Sequence, residues 1–207
     1  PKIGSAKASN LSNKRVLMIG TDMAAGKMTV GLELYSYLKE KQINVGFVAT
    51  GQVGITVTGK GIPLDAYKLD HACGAVETAV IEQKHKDVVI VEGQGSILHP
   101  GSSATLPLMR GTCPTHMILC HIARNDSLRS LENIKIPDLK KFIKLNEELA
   151  SVIGTYPDTK VIGIALNTIL MTDEAAKEYI KKTEEETGLP VTDVVRYGGD
   201  KIFTQLI

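Results

Sequence analysis

The sequence predicts an α/β fold, three layers built around a mostly parallel sheet. Three observations lead there. Short apolar, β-branched runs recur at 15–20, 44–50, 88–92, 116–121, 160–166 and 191–195. They are near-continuous rather than alternating, as strands covered on both faces must be. Helix-period segments lie between them, and strand–helix alternation packs as a parallel sheet with helices on either side. Ligands of such sheets sit beyond the carboxyl ends of the strands, so candidate functional residues are sought there.

Residues 1–14 (PKIGSAKASNLSNK) are rich in Ser, Lys and Asn and read as a linker or frayed tail. The remainder, 15–207, is long enough for one domain with a large core. The first run, RVLMIG, leads into GTDMAAGKMT and then a helix over 26–41, with Met28, Gly31, Leu32, Tyr35 and Leu38 on one face. Gly20 and Gly26 bracket five residues, one more than the usual phosphate-binding loop, and Lys27 follows in register. Glycines permit the turn, and the backbone N–H groups at the helix start, with the Lys, then attract an anion. This makes the fold P-loop NTPase-like. The position after the Lys, where such loops place a Ser or Thr for Mg2+, is Met28, and Thr29 is one residue out of phase.

After the second run comes a long glycine-studded segment from Gly51-Gln52 to Pro63, suited to fold over a ligand. A helix over 65–83 follows, with Leu69, Ala72, Val76, Ala79 and Val80 on its apolar face. Asp70, Gly74 and Glu77 form another stripe, which reads either as a solvated acidic face or as a site for a cation or substrate amine. The third run ends in Glu92-Gly93-Gln94-Gly95-Ser96, with His99-Pro100 beyond. An acid ending a buried run needs partners. It could hold Mg2+, accept a proton, or be a hydrogen-bonded structural group. His99 is a candidate base or a turn residue. The fourth run ends near His121 and Arg124, either able to meet a carboxylate or phosphate. The fifth ends in Asn167-Thr168, where an amide can read a purine edge or cap a helix. Helices over 139–154 and 172–187 complete the pattern, the second stopped by Gly188-Leu189-Pro190.

Composition narrows the function classes. A net charge of +1 argues against a nucleic-acid or membrane surface, and no apolar run has the length of a spanning helix. Cys73, Cys113 and Cys120 lack metal or CxxC spacing and read as reduced thiols of a cytoplasmic protein.

GTDMAAGKMT, VEGQGS and ALNT together resemble dethiobiotin synthetase, which implies that Asn167 meets adenine. A closer resemblance covers nearly the whole chain. The GTD-x-x-x-GKMT loop, GQ-x-GI at 51–55, the IPLDA-to-GAVE helix, VEGQGSILHP and LCH-x-x-R are similar to the D-glutamate N-acetyltransferase-like family. That resemblance implies acetyl transfer from acetyl-CoA to an amino-acid amine, and a Rossmann-like domain ahead of this one. On it, Lys27 and the loop (Gly20, Thr21, Asp22, Ala25, Gly26, Met28, Thr29) bind CoA phosphates. Glu92 or His99 accepts the amine proton, and His121 or an N–H steadies the oxyanion. Gln52, Asp70 and Arg124 face the small-molecule substrate, and the protein is expected to be a homo-oligomer. The alternatives are an ATP-dependent ligase or kinase, with Mg2+ on Thr29 and Glu92 and adenine on Asn167, or a nucleotide-binding module without catalysis.

Overall fold

A computed structural model describes residues 2–207. Six strands form one sheet in the order β2-β3-β1-β4-β7-β8: β1 (Lys14–Gly20), β2 (Val45–Val48), β3 (Val88–Val91), β4 (His116–Ile122), β7 (Lys160–Asn167) and β8 (Val191–Thr192). Every pairing among them is parallel. The central β1 shows why its sequence run is unbroken by polar residues. Val16 and Met18 pack on one face against α1 (Lys27–Glu40) and α8 (Asp200–Phe203). Leu17 and Ile19 pack on the other with α3 (Leu69–Glu82), α4 (Thr105–Thr112), α5 (Leu139–Ser151) and α6 (Asp173–Thr187). Both sides are dry, so each residue along the strand must be apolar or fully paired. Arg15 is the exception that obeys the rule. Its buried guanidinium donates to the carbonyls of Leu11, Asn13, Thr112 and Cys113.

Several expectations change. The segment ahead of β1, apart from Pro1, which lies outside the described residues, is packed rather than frayed. It forms a 3-10 turn, Lys7–Asn10, and Ala8 is fully buried. The Ser5 and Lys7 N–H groups donate to the Glu77 carboxylate, the latter at 2.6 Å. The Asp70–Glu77 stripe is therefore not one uniform face: Glu77 is buried as an anchor, and Asp70 is exposed. The glycine-studded segment contains α2 (Gln52–Thr58). The buried face of α1 is Val30, Gly31, Leu34 and Leu38, turned from the stripe read through Met28 and Tyr35. The last strand stops at Thr192, because Asp193 caps α7 (Val194–Tyr197) by accepting from the Val195 and Arg196 amides. A short antiparallel hairpin, β5 (Ser127–Leu128) with β6 (Leu131–Lys135), follows β4. No helix is long and apolar enough to cross a membrane among the described residues.

Truncating Glu77 orphans two backbone donors. Glu77→Ala should lower the unfolding free energy by about 1–3 kcal/mol, read by urea titration. It should also speed tryptic cleavage at Lys7.

Candidate functional site

The site begins where β1 runs out. Past Gly20 the chain turns through Ala24 (φ 50°) to Gly26, whose φ of 101° only glycine adopts without strain. Gly26 is the residue that opens α1, so Lys27 is the first helical residue. The leading amides of a helix have no acceptor within it and attract anions. Lys27 is 6% exposed and donates to the Asp22 carbonyl at 2.8 Å, leaving further N–H donors on Nζ. Burial lowers its pKa, against the opposing pull of Cys120, Asp22 and Glu92.

Neighbouring strands hold the loop in place. The Asp22 carboxylate accepts from Met23 N–H and from Arg129 N–H, each at 2.7 Å, which ties the loop to the β5–β6 hairpin. Thr21 Oγ1 is 2.9 Å from His121 Nδ1, and Ser96 Oγ donates to the Thr21 carbonyl. Asp22 and Thr21 thus use their side chains on the protein itself.

Glu92 is 3% exposed at the end of β3. Its Oε2 accepts from Thr50 N–H at 2.8 Å and Gly51 N–H at 3.1 Å, and its carbonyl accepts from Thr50 Oγ1. The carboxylate therefore sits at the start of α2 and joins the ends of β2 and β3. Gly54, in the first turn of α2, must lack a side chain, because a Cβ there would collide with Oε2. This is the physical content of the Gly51-Gln52-x-Gly54 pattern.

A cleft of about 810 Å3 brings Gly26, Lys27, Met28 and Thr29 together with Gln52 and Glu92. Gln52 also donates weakly to Asp65. Other candidates lie elsewhere. Gly20 reaches only a small space under the loop, and Thr21, Asp22 and Ala25 do not line the cleft. His121 is 3% exposed and burial pulls its pKa down to about 4, so it is a neutral partner of Thr21 rather than a group on the cleft wall. His99 accepts from Gly101 N–H within its own turn. Arg124 is exposed with a left-handed backbone, and Asn167 Oδ1 accepts from Ile169 N–H; neither borders the cleft, nor does Asp70.

Sequence reading missed the walls. Leu64, Tyr67, Leu69 and Ser102 border the cleft; the first three fall in the IPLDA-to-GAVE segment, but nothing in it singles them out as cleft residues. It also missed Asn146, fully buried on α5, whose Nδ2 donates to the Phe142 carbonyl while Oδ1 has no partner. Asn146, Lys27 and Thr105 line the space under the loop, about 10 Å3, near the least volume that holds a water. Among the described residues no group of three or more His, Cys, Asp or Glu side chains gathers as a metal ion held by the protein alone would need.

A parallel sheet whose central strand passes through a glycine loop into a helix headed by Lys27 defines a P-loop protein of the nucleotide-binding fold. The chain belongs to the DUF1611 family: residues 2–203 match its C-terminal P-loop domain, a domain of unknown function. The crystal structure of a DUF1611 family protein from Anabaena variabilis is 46% identical and superposes with a TM-score of 0.97, over 99% of this chain and 60% of that one. A D-glutamate N-acetyltransferase of a Pseudoalteromonas species is 34% identical over 203 residues, 98% of this chain. The chain spans 60% of that relative's length. Cobyrinic acid a,c-diamide synthase from Mycobacterium smegmatis, solved with ADP and magnesium, shares the fold at 12% identity and TM-score 0.58, over 94% of this chain and 92% of its own.

The buried His121 makes stability depend on pH. Its folded pKa, about 4, lies below the ordinary 6.5. The neutral ring's contribution is complete above pH 6.5 and is lost as pH falls from there through about 4, because the unfolded chain takes a proton that the folded chain refuses. Over that window the wild type should lose about 3 kcal/mol more unfolding free energy than His121→Asn. Urea titrations at about pH 7 and about pH 4 check the difference.

Proposed function

We propose that this chain holds the phosphates of a CoA thioester at residues 20–29 and belongs to a longer enzyme that acetylates the amine of an amino acid such as D-glutamate. The supporting observation is the convergence, in one cleft, of an anion-attracting helix start and a buried carboxylate, in a chain similar to proteins named D-glutamate N-acetyltransferase. Lys27 has donors to spare and Met28 offers no hydroxyl to a metal. A loop that grips phosphate as a handle needs no metal. Binding energy realised there orients the distant thioester.

CoA supplies an acyl group on a good leaving group. The amine nitrogen attacks the thioester carbonyl carbon, the C–S bond breaks, and the thiolate departs. An amino acid's amine is protonated at neutral pH, so a base must take its proton. Glu92 suits that role. Its Oε2 is fixed by two amides, while Oε1 accepts no hydrogen bond from the described residues and the side chain borders the cleft. Thr29 and Glu92 share the cleft, which keeps one second reading in play, a Mg-ATP ligase with both as metal ligands.

Calorimetry separates the two. CoA should bind without Mg2+, and Lys27→Ala should weaken it by about ten- to a hundredfold. In the longer enzyme Glu92→Gln should lower turnover by about two to four orders of magnitude with CoA affinity nearly unchanged. If ATP binds only with Mg2+, CoA does not bind, and Glu92→Gln removes the Mg2+ dependence, the ligase reading replaces this one.

A further inference from the structure

Polar and apolar groups line the same cleft. Lys27, Gln52, Asp65 and Glu92 border it, and so do the buried Leu64 and Ala72 and the exposed Val53 (59% exposed), Leu69 (64%) and Met23 (39%). Single exposed apolar side chains are ordinary on a protein surface. These three come from separate elements, α2, the start of α3 and the phosphate loop, and they border one cleft. Leu69 is the clearest case, since it begins α3 on the same stripe as the buried Ala72 and Val76 yet stays exposed beside the cleft.

Resting on the CoA reading above, we infer that these apolar side chains form an arm-binding wall. It selects ligands that join an anionic head to a long, largely neutral arm with aliphatic groups, of the phosphopantetheine type. The charge of the head matches the α1 end, and exposed apolar side chains border the same cleft. Covering Val53, Leu69 and Met23 removes apolar area from water, a gain open only to a ligand extending past its phosphates. The wall thus determines specificity, whereas Lys27 and the loop supply an affinity shared by any polyphosphate.

Two ligands isolate the arm. Dephospho-CoA and ADP share adenosine and pyrophosphate, and differ by pantetheine. Calorimetry on this chain should find dephospho-CoA at least about tenfold tighter than ADP. The double variant Val53→Ser with Leu69→Ser should shrink that ratio to about twofold or less, leaving ADP affinity as it was. Both positions are exposed, so the fold should survive. Val57→Ser, one turn further along α2, is 61% exposed but outside the cleft and should change neither ligand. Equal affinities for the two ligands in the wild type overturn the arm wall while the phosphate loop stands. An equal loss for both in the double variant also overturns it, because adenine would then be what lies on the wall. If CoA, dephospho-CoA and ADP all fail to bind, the phosphate reading itself fails, and the wall with it.

Discussion

The arrangement of the site depends on one buried carboxylate. Glu92 ends an apolar strand, where an unpaired charge would be strongly unfavourable, and the surroundings are built to receive it. Two backbone N–H groups from the end of β2 meet Oε2, and the first turn of α2 is stripped to glycine so that it can approach. The consequence reaches well past the residue. Strand β2 is locked to β3 at its carboxyl end, the start of α2 is held at the cleft, and a free carboxylate oxygen is left in the cleft that Lys27 also borders. Removing the side chain would undo all three together.

The same device recurs through the molecule. Buried ionisable groups are satisfied mainly by backbone atoms and not by opposite charges. Glu77 takes amides from the segment before β1, Asp22 takes amides from Met23 and Arg129, and Arg15 gives its protons to carbonyls. The ion pairs among the described residues instead have at least one well-exposed partner, and such pairs contribute little to stability. Backbone partners have a geometric effect that a pair of flexible side chains lacks. Each buried charge fixes a stretch of chain, so loops that would otherwise be free become rigid parts of the site. Hydrogen-bonded carboxylates at the mouths of parallel strands are thus both structural and positioned for chemistry, which is why a motif such as VEGQGS resists a simple assignment.

On the reading proposed above, the cleft separates affinity from selectivity. A helix start with a lysine binds phosphate whatever the phosphate carries. Discrimination must come from the other groups lining the cavity, which include apolar as well as polar side chains.

What the sequence determined by itself is the periodic part. Unbroken apolar runs separated by helix-period segments specify a doubly covered parallel sheet, because a strand with two dry faces admits no alternation. The glycine-flanked Lys27 likewise specifies a helix start facing a ligand, since both the turn and the dipole are local properties. Tertiary structure alone decided the rest. His121 and Asn167 lie at the carboxyl ends of β4 and β7 and Arg124 just past β4, yet only packing sends His121 inward to Thr21 and leaves the others outside the cleft. Ser5 and Lys7 look like a tail until Glu77, distant in the chain, supplies an acceptor. Leu69 and Val53 are ordinary apolar residues until folding brings them to one cleft. Contacts between residues far apart in the chain depend on where the sheet order places them, and no local pattern of residues encodes that order.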